Sequence, residues 1–409
     1  MHSEMAVLVP HLRLVRPGEL SPAAARARAE RSGRRVITML WLSVTVLTML
    51  GLVMVLSASS VTAFAEYGSS FLFFRRQALY AAFGGVVALG TSRLPYRVWR
   101  RGWAPLLGVT IVLLLLVLHP STGTAAGGAA RWIRMGPLTI QPSELVKFCV
   151  VAATAAILSR NLGSLNETPG RWAGPLAFIV GGVSLLILLQ PDLGTMLIVA
   201  ATAFLLLFVA GVRLRVLFTS TLVAGVVGMS LILGEGYRRA RLFSFLDPWS
   251  DPSNAGYQIV QSLIALGSGS VVGVGLGASR QKWMYVPNAH TDFIFSILGE
   301  ELGLAGATVV LALFGVVVYA GIRIALAAPD AFGRLLAAGI TAWLGFQALV
   351  NLGAVTGLLP ITGVPLPFVS FGGSSLVVSL GGIGVLLSVG RAGAHSRRAP
   401  VTRLDRAGK

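Results

Sequence analysis

The sequence predicts an all-α polytopic integral membrane protein with about ten transmembrane helices and both termini in the cytoplasm. Three observations lead there. The 409 residues are 55% apolar and 12% charged, about half the charged share of a soluble domain, with a mean hydropathy of +0.79. Uncharged runs long enough to cross hydrocarbon, roughly 20 residues each, recur along the chain. When those runs are taken as spans, the basic residues fall mainly on one side.

In chain order, residues 1–35 carry seven arginines and little apolar pattern, and are expected to be a disordered basic cytoplasmic tail. The run from Val36 to Ser59 ends in small residues, as a cleaved signal would. Its length and the spans behind it make it a signal anchor instead. Spans are expected near 36–59, 77–92, 103–118, 143–159, 172–190, 192–212, 216–234, 302–322, 335–357 and 371–390. Backbone groups in hydrocarbon must be satisfied internally, so each should be helical. The stretch 258–279, rich in glycine and serine, is expected to be re-entrant or packed as a loop. It belongs to a large extracytoplasmic loop between helices 7 and 8. Residues 36–392 form the membrane domain, and 393–409 a second basic cytoplasmic tail.

Charge placement supports the count. Ten spans put 23 basic and six acidic residues on the cytoplasmic side, nine of each outside, and Lys147 within a span. An eleventh span would place the basic C-terminal tail outside, against the usual bias. The outer nine are Arg75, Arg76, Arg131, Arg134, Arg238, Arg239, Arg241, Arg280 and Lys282. Their clustering suggests an anionic ligand at the outer surface; headgroup contacts and loop salt bridges explain any single one equally well. No soluble basic domain exists to bind nucleic acid. Cys149, the one cysteine, excludes an internal disulfide framework and suits a buried small hydrophobe. No Walker loop, zinc motif or Ser-His-Asp order is present, and no organic cofactor is expected.

Ionisable groups at a membrane are costly and therefore informative. Of fifteen acids, six lie in cytoplasmic tails and loops, and Glu66 and Glu235 in ordinary outer loops. Glu144, Asp192, Asp247, Asp251, Asp292, Glu300 and Glu301 remain. Asp292 closes the segment Pro287-Asn-Ala-His-Thr-Asp292, just before an apolar run, with His290 and Thr291 placed to orient it or share its proton. A half-desolvated carboxylate there could act as a general base; Thr291 or Asp292 could equally be a helix N-cap. Glu300 and Glu301 suit structural roles, one pairing with an arginine. Glu144 and Lys147, three apart on one face, could form an ion pair, or Lys147 could hold a phosphate. Asp192, in the turn Gln190-Pro-Asp-Leu-Gly-Thr195, suits a cap. Arg131-Trp-Ile-Arg134 fits an aromatic belt or a ligand contact, and Arg238, Arg239 and Arg241 form a second cluster. Gly363 to Ser375 is irregular backbone beside the last span, where Ser370, Ser374 and their neighbouring N–H groups could cradle an anion.

Together these segments resemble the SEDS family (shape, elongation, division and sporulation), the FtsW/RodA-type membrane proteins. The matching pieces stand in one order: Gly51 to Ser60, Arg131-Trp-Ile with Gln141-Pro-Ser-Glu-Leu-Val-Lys147, Gln190 to Thr195, Tyr257-Gln, Pro287 to Phe293, Gly299-Glu-Glu-Leu-Gly303, and Pro365 to Ser375. They cover residues 40 to 392. Two departures stand out. Gly127-Gly128-Ala129 precedes Arg-Trp-Ile where the family often has Asn-Gly-Ala, and Asn288 occupies the place of a frequent glutamate. The second weakens any metal role for an acid at that point.

The resemblance implies a ten-helix fold and a polymerase of lipid II, with the aspartate of His-Thr-Asp-Phe, here Asp292, at the catalytic position. It implies a class B penicillin-binding protein as transpeptidase partner, other division proteins, and a place at the division septum. Gly299 to Gly303 and the Ser-Ala-Ser-Ser end of the first span look more like the division branch than the elongation branch. The expected chemistry is inverting glycosyl transfer from an undecaprenyl-diphosphate-linked glycan chain. Arg131, Arg134, Lys147, Arg238, Arg239 and Arg241 are the candidates to compensate the departing diphosphate, assisted by a divalent cation such as Mg or Mn. A lipid II flippase and a non-catalytic divisome scaffold are the rival classes. The basic tails could also meet anionic membrane lipids.

Overall fold

A computed structural model describes residues 22–396 apart from 120–122, 127–128, 137, 235, 255, 284 and 288; Glu235, Asn288 and the ends of both tails lie outside the described residues. Helices occupy all ten expected spans: α1 (Pro22–Tyr67), α2 (Leu72–Arg93), α3 (Trp99–Leu118), α4 (Pro142–Asn161), α5 (Gly170–Leu188), α6 (Leu193–Ala210), α7 (Leu214–Leu233), α10 (Ile294–Ala327), α11 (Ala331–Val355) and α12 (Gly373–Ser396). Eight are long and apolar enough to cross a membrane. Of the other two, α2 carries Arg75 and Arg76 in its first turns, and α7 offers the shorter apolar stretch Leu214–Ser230. Outward faces stay apolar, as in Val86, Phe178 and Leu222, which suits hydrocarbon rather than water. The chain is therefore an all-α polytopic membrane protein.

The helix α1 is described from Pro22, ahead of Val36, so residues 22–35 are helical where a disordered tail was expected, and residues 1–21 of that tail lie outside the described residues. The outer loops also hold more structure than expected. Between α3 and α4 lies a three-stranded antiparallel sheet of β1 (Gly123–Ala126), β2 (Ala129–Met135) and β3 (Leu138–Ile140). The long loop after α7 contains α8 (Gly236–Leu246) and α9 (Tyr257–Ser268). At about 1.5 Å per residue, the twelve residues of α9 are too short to span, and they bury Ile259, Val260, Ser262 and Ala265.

The core sits around α11, where Trp343, Leu335, Leu336 and Ile340 are fully enclosed. Close helix approach relies on small residues, as is usual where lipid gives no hydrophobic drive. A side chain at Gly51 of α1 would bring its Cβ to 2.6 Å from the Phe368 carbonyl oxygen, so α1 lies directly on the strap 357–372 that joins α11 to α12.

The helix α10 is broken at Gly303 (φ 66°, ψ −166°), a conformation essentially confined to glycine. The chain after α9 fills the break. Leu304 and Ala305 donate their N–H groups to the Ser270 and Val271 carbonyls at 2.9 and 3.0 Å, while Val274 and Gly275 donate to the Glu300 and Glu301 carbonyls at 3.0 and 3.1 Å. The stretch 258–279 is thus loop-packed, and it supplies the hydrogen bonds that the interrupted helix lacks.

The two acids beside the break anchor the same loop. The Glu300 carboxylate accepts from Ser279 Oγ at 2.5 Å, the Arg280 N–H at 2.9 Å and the Gln281 N–H at 3.4 Å. Glu301 accepts from Ser57 Oγ of α1 at 2.6 and 2.7 Å and pairs with Lys282 Nζ at 3.3 Å. The expected arginine partner is therefore a lysine. Lys282 is itself buried, so it is not among the cations open to an outer ligand.

Two outcomes follow for thermal unfolding in detergent. Gly303→Ala should destabilise by about 1–3 kcal/mol from backbone strain alone, with more from collision of its Cβ with Gly273 and Val271. Lys282→Met should cost roughly 3–5 kcal/mol by leaving Glu301 buried without its cation. The double change Lys282→Met with Glu301→Gln should recover part of that loss, and an unchanged melting temperature in the lysine variant would refute the anchoring role.

Candidate active site

Asp292 is the last residue but one before α10. The N-cap position is Phe293, and no side chain caps the helix there, so the capping alternative for Asp292 is not what forms. The carboxylate is partly exposed. Its Oδ1 accepts from Thr291 Oγ1 at 2.8 Å. Its Oδ2 faces Gly363, where an added Cβ would stand 3.9 Å away. Gly363 has a φ of +71°, which favours glycine and lets the strap turn beside the acid.

His290 orients this turn through packing. Its ring lies 4.6 Å from Phe73 of α2 and 5.6 Å from Phe371 of the strap, centroid to centroid. Its backbone carbonyl accepts the Phe371 N–H at 2.9 Å. Burial among these rings pushes the imidazole down to about 4, so it is neutral at physiological pH.

The strap is held from several sides. Ser370 Oγ accepts the Leu366 N–H at 2.8 Å, closing a turn, and the Ser370 carbonyl accepts Gln77 Nε2 of α2 at 3.0 Å. Ser374 Oγ accepts the Gln141 N–H at 3.2 Å, which joins the start of α12 to that of α4. Each serine oxygen thus accepts a backbone N–H, Ser370 within the strap and Ser374 at the start of α12.

Asp192 caps α6 as expected, its Oδ1 accepting the Thr195 N–H at 3.1 Å. Its Oδ2 also accepts from Ser143 Oγ at 3.3 Å and Gln141 Nε2 at 3.4 Å. Arg131, on β2, donates from Nε to the Gln190 carbonyl at 2.9 Å and from its terminal nitrogen to the Pro191 carbonyl. It clasps the turn before α6. Arg134 on the same strand is exposed.

Lys147 is the clearest revision. The expected choice between an ion pair and a phosphate contact falls to the ion pair: Nζ lies 2.8 Å from Glu144 Oε2 and donates to Gln347 Oε1 at 2.7 Å, with both charged side chains 1% exposed. The Trp343 ring sits 5.7 Å from the ammonium. Arg75, Arg76, Arg239 and Arg280 are exposed; the side chains of Arg238 and Arg241, in α8, lie outside the described residues.

Two residues of the site carry no charge and were not expected: Gln347 and Asn351 of α11. Asn351 Nδ2 donates to the Asp292 carbonyl at 2.7 Å and to the Val364 carbonyl at 2.8 Å. Gln347 Nε2 donates to the Pro365 carbonyl at 3.0 Å and to Ser375 Oγ at 3.3 Å. Two amides in a long apolar run were the available signal. Elimination among ionisable groups alone passed over them.

Among described residues no group of three or more His, Cys, Asp or Glu could hold a metal ion. The arrangement offers one partly exposed carboxylate on a turn that α11 holds, with an irregular strap against it. That combination suits proton removal from a hydroxyl.

Residues 37–395 match the family described as Cell cycle protein, FtsW/RodA/SpoVE. The chain is 44% identical over 343 residues to the protein named "Probable peptidoglycan glycosyltransferase FtsW" of Geobacter metallireducens, across 84% of this chain and 91% of that one. It is 42% identical over 360 residues to "Stage V sporulation protein E" of Bacillus subtilis, across 87% and 95%. Among solved structures, a chain from a peptidoglycan synthase complex that coordinates polymerization and crosslinking superposes with a TM-score of 0.71 at 31% identity, over 87% of this chain and 97% of that one. The rod shape determining protein RodA of Thermus thermophilus does so with 0.63 at 30% identity, over 86% and 95%. The ordered motifs and these matches agree: the chain belongs to the FtsW/RodA/SpoVE family.

Proposed function

We propose that the chain is a peptidoglycan glycosyltransferase that polymerises lipid II at the outer face of the cytoplasmic membrane during cell division, with Asp292 as general base. The observation that carries the reading is the placement of Asp292: partly exposed, bonded by Thr291 on one oxygen, and turned toward the strap glycine on the other. The names of the curated relatives support the reaction class.

In this reading Asp292 takes the proton of the acceptor's 4-hydroxyl. That oxygen bonds to the anomeric carbon of the undecaprenyl-diphosphate-linked chain, with inversion, as the bond to the diphosphate breaks. The leaving diphosphate carries the negative charge, and cations at the outer rim, Arg134 and the Arg238, Arg239 and Arg241 cluster among them, offset it. A divalent cation would help neutralise the leaving diphosphate and would arrive with the substrate, since the described residues include no acid or histidine group to hold it. The lipid tails keep both reacting headgroups at the membrane edge, where the site lies. A class B penicillin-binding protein is the expected partner, since a family member has been solved in a complex that joins polymerization to crosslinking. The septum is the expected place of action, with other division proteins recruited through surfaces and tails outside the site.

The test uses the purified chain with its class B partner and labelled lipid II. Asp292→Asn should polymerise at least about 10²-fold more slowly than wild type, the usual weight of a general base, while still binding the partner. Equal polymer from both would place the base elsewhere.

His290 gives a pH outcome. Its folded value of about 4 lies below the ordinary 6.5 of a free histidine. Between these values the unfolded chain binds a proton that the folded chain refuses. The stability it contributes is therefore complete above pH about 6.5 and lost as the pH falls toward 4. Thermal stability should fall by roughly 2 kcal/mol between pH 6.5 and 5 through this residue, and His290→Phe should flatten that part of the profile.

A further inference from the structure

We infer that Asn351 is a positioning residue for the reaction: it sets the distance between Asp292 and the strap that faces it. The inference rests on the reading of Asp292 as the base and extends it to a residue that touches no substrate.

Trp343, Gln347 and Asn351 are spaced four apart and so share one face of α11. They are 0%, 0% and 2% exposed. A buried amide costs free energy unless its polar atoms are bonded; here the bonds that form are all to the site's backbone and neighbours, and Asn351 keeps its two N–H bonds although its Oδ1 finds no partner among the described residues. Gln347 accepts from Lys147 and from Trp343 Nε1 at 2.7 and 3.0 Å, and its own N–H groups reach the strap at Pro365 and α12 at Ser375. One turn later, Asn351 spends both N–H groups on two carbonyls, those of Asp292 and Val364. These carbonyls belong to different segments, the turn that carries the base and the strap it faces. Val364 directly follows Gly363, the residue opposite the carboxylate. Asn351 therefore fixes both walls from one amide group.

The requirement is chemically narrow. A donor with two hydrogens on a short stem is needed. Leucine has the shape without the donors, serine keeps one donor, and aspartate replaces the donors with an oxygen that repels both carbonyls. Without the bridge the turn and the strap would part, and a misplacement of about 1 Å can cost on the order of 10²-fold in rate. The effect should appear in the chemical step, because on this reading Asn351 sets the position of the base and does not itself touch the substrate. A purely structural asparagine would instead lower stability and the active fraction together.

The experiment compares wild type, Asn351→Leu, Asn351→Ser and Asp292→Asn, each purified with the class B partner. It measures kcat and KM for lipid II, partner affinity and melting temperature. Asn351→Leu should lower kcat by about 30- to 100-fold, with KM and partner affinity within roughly twofold of wild type, the pattern of a loss confined to the transition state. Asn351→Ser should fall between them. The proposal is overturned if Asn351→Leu polymerises within about threefold of wild type, or if its loss matches the fall in folded, partner-bound protein. A wild-type rate for Asp292→Asn would overturn the reading of the base and this inference with it. An inactive Asp292→Asn beside a fully active Asn351→Leu would overturn this inference alone.

Discussion

Hydrocarbon offers no hydrogen bonds, so every interruption of a helix within the membrane domain needs replacement partners from the protein itself. This constraint shapes the region around Asp292. The helix α10 breaks at Gly303, and the four backbone groups freed there are met by Ser270, Val271, Val274 and Gly275. Because the loop after α9 must lie in the break, it cannot lie elsewhere. Its continuation through Ser279, Arg280 and Lys282 is then pinned by Glu300 and Glu301, and the chain arrives at Asp292 along a defined path.

The strap obeys the same rule from the other side. Residues 357–372 are irregular backbone, and much of their bonding comes from side chains of neighbouring helices: Gln77 of α2, and Gln347 and Asn351 of α11. These are neutral amides, which satisfy backbone groups without burying charge. Among the described residues, four buried charged groups form two pairs, Lys147 with Glu144 and Lys282 with Glu301, while the buried Asp192 and Glu300 are met by hydroxyl and N–H donors instead. A lone buried ion would be expensive, and a pair is tolerable when further hydrogen bonds complete it; Gln347 and Ser57 supply them. Asp292 differs in keeping some exposure, which is what a group that exchanges protons with a substrate requires.

The division of labour among the outer cations follows from the same geometry. Arg131 and Lys282 are spent on holding backbone and carboxylate, whereas Arg134, Arg239 and Arg280 keep their heads at the surface. Family motifs that look like ligand contacts therefore include several that are clasps. Ser57 illustrates the point: the small-residue end of the first span is tied to Glu301, so two motifs far apart in the chain act as one joint.

The sequence alone determined the fold class and placed a helix at each expected span, eight of them long and apolar enough to cross a membrane, because solvation in hydrocarbon demands long apolar runs. It also marked Asp292 as one of seven acids at the membrane edge, which the family resemblance then singled out, and the Asp192 cap, since capping is local. Only the tertiary structure decided the rest. The sheet at 123–140 has strands too short for a periodic signal. The helix over residues 22–35 sits in a stretch without apolar pattern. The choice of ion pair for Lys147, the lysine partner of Glu301 and the roles of Gln347 and Asn351 all depend on which helices meet at long range. Composition and spacing report what each segment dissolves in; which buried donor meets which acceptor is set when the helices pack.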